Sequence, residues 1–136
     1  MEKEEFMIRP IEYVRVEGDN PKDADYYIYI DKQYRSALKE LDQFNHAMVF
    51  WWAHENDKEE IRNQSKLSIV PPYGEDPPER GVFPTRAEYR PNPIALTTTS
   101  IAVDVEKGVV TIAGIDAFNG TPVVDLKAYF PFDEYE

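Results

Sequence analysis

Two stretches of short-period alternation open the chain. Ile8 to Val16 alternates imperfectly between apolar and polar side chains, and Asp25 to Asp31 (Asp-Tyr-Tyr-Ile-Tyr-Ile-Asp) is dense in aromatic and branched residues, so both predict strands. Gly18, Asn20 and Pro21 mark a turn between them. The period then changes. Tyr34, Ala37, Leu38 and Leu41 fall at i, i+3, i+4 and i+7, with Gln33, Arg35, Lys39 and Glu40 opposite, which predicts a short amphipathic helix. From His46 to His54 the run is apolar on both alternating faces, as in a strand covered on two sides, one face toward the core and the other toward a partner chain. Asp57 to Arg62 predicts a helical turn, Leu67 to Val70 a short strand, and Pro71 to Pro78 a long loop that cannot enter a sheet interior. Gly81 to Arg86 and Ile94 to Asp104 predict further strands. The second is joined to Val109 to Ala113 by the tight Glu106-Lys107-Gly108 connection. A last strand runs from Val123 to Ala128 or Tyr129, ahead of Pro131 and an acidic tail. Six to eight strands with one or two short helices predict an all-β, mainly antiparallel fold, a compact β-barrel forming a single domain over residues 1–136.

Composition narrows the chemistry. The 42% hydrophobic and 13% aromatic content suits a packed core, and no apolar run approaches the roughly 18 residues of a membrane helix. The start, Met-Glu-Lys-Glu-Glu-Phe, lacks the positive end and apolar stretch of a secretory signal, so a cytoplasmic location is expected. Cysteine is absent, which excludes disulfides, thiolate metal sites and a cysteine nucleophile. The six glycines contain no Gly-x-Gly-x-x-Gly, and regular helices do not separate the strands, so a doubly wound nucleotide fold is excluded. No serine sits in a Gly-x-Ser-x-Gly elbow. His46 and His54, at the ends of one expected strand, would lie roughly 26 Å apart and could not share a metal ion, so no metal site is expected. A formal charge of −11 opposes wrapping nucleic acid by bulk electrostatics. Any RNA contact must rest on a local patch; between Arg62 and Arg90 five basic residues face four acidic ones.

Three segments can carry chemistry. Residues 85–94 hold Arg86, Arg90 and Asn92 between prolines that fix extended backbone, which makes either a rigid connector or a loop that presents those side chains. Asn119-Gly120-Thr121-Pro122 is a tight-turn signal with main-chain amides able to face a ligand. After it Asp125, Lys127 and Tyr129 alternate onto one strand face, as a solvated sheet face or as groups converging on a cleft. His54, leaving an aromatic strand beside Glu55, is the histidine better placed to touch a ligand. Trp51 and Trp52 point to opposite faces, with core or interface packing expected for each.

Leu41-Asp-Gln-Phe44-Asn-His46, Val70-Pro-Pro, Arg80-Gly-Val-Phe-Pro-Thr-Arg86, Arg90-Pro-Asn-Pro-Ile-Ala-Leu96, Gly114-Ile-Asp116 and Asn119-Gly-Thr-Pro-Val-Val-Asp-Leu-Lys-Ala-Tyr129 come in order and at fixed spacing. Together they resemble the TsaA-like (TrmO-like) family over about residues 41–131. The resemblance implies a β-barrel that works as a homodimer and an S-adenosylmethionine-dependent methyltransferase. Its acceptor would be N6 of threonylcarbamoyladenosine in the tRNA anticodon loop. It implies a donor site drawing on His54, Glu55, Arg86, Leu96, Asn119, Gly120, Thr121 and Pro122. Asp125, Lys127 and Tyr129 would orient the acceptor and handle its proton, with Arg90 and Asn92 binding substrate. The chain departs from the family pattern at Asn119, where aspartate is usual, at Ala95, where glycine is usual, and at Val14 to Asp25, where a Pro-Arg-Gln-like donor motif is usual. The additional carboxy-terminal domain of longer members is not expected. A methyltransferase for a small acceptor, and a non-catalytic donor-binding regulator, are alternative readings of the same residues.

Overall fold

The computed structural model describes residues 4–18, 24–64, 67–68 and 80–130. Among them are the strands β1 (Glu12–Glu17), β2 (Asp25–Tyr29), β3 (His46–Trp52), β4 (Leu67–Ser68), β5 (Arg80–Gly81), β6 (Ile94–Asp104), β7 (Val109–Ile112) and β8 (Pro122–Ala128). The six longest close an antiparallel barrel in the order β1-β2-β7-β6-β3-β8, while β4 and β5 pair separately. The expected architecture is therefore the observed one.

Inward side chains make the barrel. On β3, Ala47, Val49 and Trp51 are buried and alternate with His46, Met48, Phe50 and Trp52 on the outside. Val14, Ile28, Val110 and Val123 from four other strands meet Val49 with no exposed surface, so one core is shared by five strands. The β6–β7 hairpin forms as the pattern predicts, and Gly108 at its turn takes φ +70°, where a side chain would meet Arg35.

Several expectations are corrected. Tyr34 to Leu41 is helical but narrower than an α-helix: a 3₁₀ segment spans Lys32–Leu38, Glu40 turns left-handed at φ 74°, and a second 3₁₀ turn spans Leu41–Gln43. In this conformation Leu38 is buried and Tyr34 and Leu41 pack against the barrel core. The expected strand over Gly81 to Arg86 ends at Gly81, because the Thr85 amide and hydroxyl both donate to the Val82 carbonyl, at 3.0 and 2.7 Å, and curl the chain. β1 starts at Glu12, not Ile8. β3 ends at Trp52, which places His54 in a 3₁₀ turn (His54–Asn56) instead of on the strand. The helical turn expected from Asp57 appears as α1 (Glu59–Gln64). The turn residues Asn20 and Pro21, the strand end Ile69 and Val70, the loop Pro71 to Pro78, and Pro131 lie outside the described residues.

One strand is shared unequally, and that positions the site. β6 pairs with β3 from Ile94 to Ser100, but β7 joins its other side only from Ile101 onward. Along its first half β6 thus has an edge without a strand partner among the described residues.

Candidate ligand cleft

The direction of each β6 peptide follows from bonds at its two ends. Ala53 N donates to Pro93 O at 2.8 Å and Ile101 N to Asn45 O at 2.9 Å, so odd-numbered residues bond toward β3; Ala113 N donates to Ser100 O at 3.1 Å, so even-numbered ones face away. Leu96 and Thr98 therefore present main-chain N–H and C=O groups to the open edge. Two loops run past it, residues 82–93 and 113–121. Between loops and strand lies a cleft of three adjoining lobes. The largest, 310 Å³, is bounded by Trp51, Arg86, Glu88, Leu96, Thr98 and Asp116. A 190 Å³ lobe continues past Arg86 and Leu96 to Arg90 and Ile94. A 30 Å³ lobe beyond Trp51, Glu88 and Asp116 is closed by His54, Glu55, Phe118 and Thr121.

The arginine-rich loop is built to hold one residue out. Arg90 Nη1 donates to the carbonyls of Thr85 and Ala87, each at 3.0 Å, and the Ala87 amide donates to Thr85 Oγ1 at 3.2 Å. Arg86, between those anchors, is exposed to the cleft and has no hydrogen bond or ion pair among the described residues. Arg62 ties the far end of the loop to α1 through Nε to Pro91 O and Nη2 to Asn92 Oδ1, both 2.6 Å, and pairs with Asp57 at 3.3 Å. Arg62→Ala is expected to cost about 1–2 kcal/mol by removing charge-assisted bonds. Faster amide exchange across residues 90–96 than in the parent would be the mark of the released loop.

The opposite wall is acidic. Glu55, Glu88 and Asp116 arrive from the turn after β3, the arginine loop and the segment after β7. Glu88 has its carboxyl raised above the ordinary glutamate value, first by burial, then by the negative charges of Asp116 and Glu55. Among the described residues no three histidine or carboxylate side chains are grouped as ligands for a metal ion.

His54, Glu55, Arg86, Leu96 and Thr121 all line the cleft. The rest of the expected donor turn supports it from behind: the Val16 amide donates to Asn119 Oδ1 at 2.9 Å, Gly120 at φ 86° donates to Val14 O at 2.7 Å, and Pro122 begins β8. Thr121, 1% exposed, is the turn's contribution to the lining. The Arg90 side chain bonds within the loop, and that of Asn92 accepts from Arg62 of α1. Asp125, Lys127 and Tyr129 share one outer face of β8, where Lys127 Nζ lies 3.2 Å from Asp125 Oδ2 and Tyr129 packs on His46. They are not brought into the three lobes; the nearest link is Phe50, whose cross-strand neighbours are Leu96 on one side and Asp125 on the other. Trp51, Glu88 and Asp116 were not singled out as site residues by sequence. The only trace of the last was its place in Gly114-Ile-Asp116.

Among the described residues, an antiparallel barrel with its cleft between an open strand edge and loops, and without a parallel sheet, defines a small class of β-barrel domain. Within it, residues 15–134 match the tRNA-methyltransferase O N-terminal domain, and the chain belongs to that family. The chain is 36% identical over 135 residues to an S-adenosyl-L-methionine-binding protein of Archaeoglobus fulgidus, covering 93% of this chain and 91% of that protein. The crystal structure of TrmO from Pseudomonas aeruginosa superposes with a TM-score of 0.70 at 25% identity, covering 98% of this chain. Another TrmO crystal structure superposes with a TM-score of 0.71 at 24% identity. The chain spans 60% of the length of each of these two solved chains.

Proposed function

We propose that the chain binds S-adenosylmethionine in the cleft along β6 and acts as a methyltransferase on N6 of threonylcarbamoyladenosine in the tRNA anticodon loop. The observation that carries the reading is the pairing, in one cleft, of a guanidinium and a strand edge that both lack partners among the described residues with an acidic wall. The donor has matching parts: a carboxylate, an adenine edge that both gives and accepts hydrogen bonds, and a sulfonium cation. The lobes reach the volume of about 300 Å³ at which small-molecule sites begin. The relatives' names point to the same ligand and chemistry.

The donor supplies an electrophilic methyl group; this chain supplies alignment. Arg86 holds a carboxylate by a bidentate bond. The Leu96 and Thr98 peptides hold a planar base edge, Trp51 and Phe118 bound the apolar part, and His54, Glu55 and Thr121 close the narrow end. The Asn119 to Pro122 turn fixes that end against β1, Gly120 N–H donating to Val14 O while the Val14 and Val16 amides donate to Thr121 O and Asn119 Oδ1. Arg90 and Asn92 serve substrate binding through the shape of the loop. Asp125, Lys127 and Tyr129, reached past Phe50, orient the acceptor and take up its proton. The working unit is a cytoplasmic homodimer. The outward, partly buried Met48, Phe50 and Trp52, beside the exposed Ile94, form an apolar band that a second copy would cover. No helix among the described residues is long and apolar enough to cross a membrane. The charge of −11 favours one second reading, a small acceptor in place of tRNA.

Calorimetric titration with S-adenosylmethionine and with S-adenosylhomocysteine is the test, followed by transfer of labelled methyl to tRNA carrying or lacking the threonylcarbamoyl group. Micromolar binding and label only in the carbamoylated tRNA is the expected result. Binding without transfer to either tRNA would reject the tRNA acceptor, and no heat from either ligand would reject the donor site.

A further inference from the structure

Glu88 stands where the largest and smallest lobes meet, sharing both with Trp51 and Asp116. The charged or titratable groups facing it are Arg86 from its own loop, His54 and Glu55 from the turn after β3, and Asp116 from the segment after β7. The stretch of β6 that lines the cleft, Ala95 to Thr98, contributes none. Three carboxylates and a histidine thus line the two adjoining lobes together with one guanidinium that is unpaired among the described residues.

We propose that Glu88 makes the cleft selective for charge, so that it holds the sulfonium donor more tightly than the neutral thioether product left after methyl transfer. This rests on reading the cleft as the donor site. Donor and product share the adenosine and amino-acid ends, so Arg86 and the β6 edge grip both equally. They differ by one methyl group and one positive charge at sulfur. Discrimination must come from groups that sense that charge, and ionised Glu88, half-buried and backed by Asp116 and Glu55, is the wall that does so. Loss of the charge on methyl transfer then weakens the grip and favours release of the product.

The same geometry couples binding to protons. Burial and its acidic neighbours make Glu88 retain its proton to higher pH than an ordinary glutamate, and a cation in the cleft reverses that preference. Donor binding therefore expels a proton from Glu88 in mildly acidic solution, whereas product binding does not. Folding carries the matching sign: the folded chain binds this proton more tightly than the unfolded one, so stability from this group is lost as pH rises through the raised pKa. Glu88→Gln is accordingly at least as stable as the parent at neutral pH, and thermal melting verifies that the variant is folded.

The deciding experiment titrates the parent, Glu88→Gln and Glu88→Asp with S-adenosylmethionine and S-adenosylhomocysteine, in two buffers of different ionisation heat at a series of pH values rising from the ordinary glutamate range to neutrality. The preference for donor over product is expected to fall about tenfold in Glu88→Gln, through donor affinity alone. It should be partly restored in Glu88→Asp, and the proton release should be present in the parent and absent in Glu88→Gln. An unchanged preference with unchanged proton release would overturn the inference while leaving the donor site standing. Failure of the parent to bind either compound would overturn both.

Discussion

Replacing Trp51 with alanine is expected to lower folding stability by about 3–5 kcal/mol, the range for truncating a buried large aromatic. The indole is 4% exposed in the shared core, and its Nε1 donates to Thr97 Oγ1 at 3.0 Å across the β3–β6 pair. Alanine removes that packing, leaves the Thr97 hydroxyl without its donor and opens the core into the largest lobe. Because small domains hold only about 5–15 kcal/mol in reserve, a large fraction of the stability disappears. Urea denaturation measures it as a fall in midpoint at constant slope. Trp51→Phe keeps most of the apolar volume and is expected to lose much less. A midpoint for Trp51→Ala within error of the parent would mean that the barrel does not depend on this contact.

Arg86→Ala is expected to do the opposite, leaving the melting temperature unchanged and weakening donor affinity about 10- to 100-fold. The stability half follows from the side chain's lack of partners among the described residues and its exposure. The affinity half follows from the 1.5–3 kcal/mol or so that hydrogen bonds to a charged group contribute, converted to an equilibrium constant. Product affinity should fall by the same factor, since donor and product share the carboxylate proposed to meet Arg86. Lysine at this position is expected to restore only part of the loss, because a point charge replaces a planar fork. Calorimetry on the two variants beside the parent checks this, and an unchanged dissociation constant in Arg86→Ala would remove Arg86 from the site.

The strands were legible where side chains alternate without competition. β3 announces itself because both of its faces are apolar, and the β6–β7 hairpin because Gly108 can take the left-handed turn. Misreading came where a local bond overrode the pattern. Val82 to Arg86 looks like a strand until the Thr85 hydroxyl is seen to close a turn, and Tyr34 to Leu41 looks like an α-helix until Glu40 reverses the chain. The site was half visible. Arg86 and Leu96 stand in a motif dense enough to notice, whereas Glu88, Asp116 and Trp51 become neighbours only when the barrel closes and carry no local signature. The reverse holds for Asp125 and Lys127. Their alternation was plain, but no periodicity says which way a barrel strand turns its polar face.

Asp125 has a second consequence. β8 pairs with β1 only at Pro122 and Val123, and Pro10, which has no N–H to offer, lies just ahead of β1 where that pairing would continue. Beyond those two residues that margin has no strand partner among the described residues, and an unpaired strand edge is a template for foreign strands. The Leu126 amide on this edge is already taken, because it donates to the Asp125 carboxylate at 2.9 Å, and Lys127 stands beside it with opposite charge. A visiting strand would have to displace a carboxylate from its own neighbour's amide to bond at Leu126. The polar pair therefore also opposes the addition of a further strand at this point of the margin.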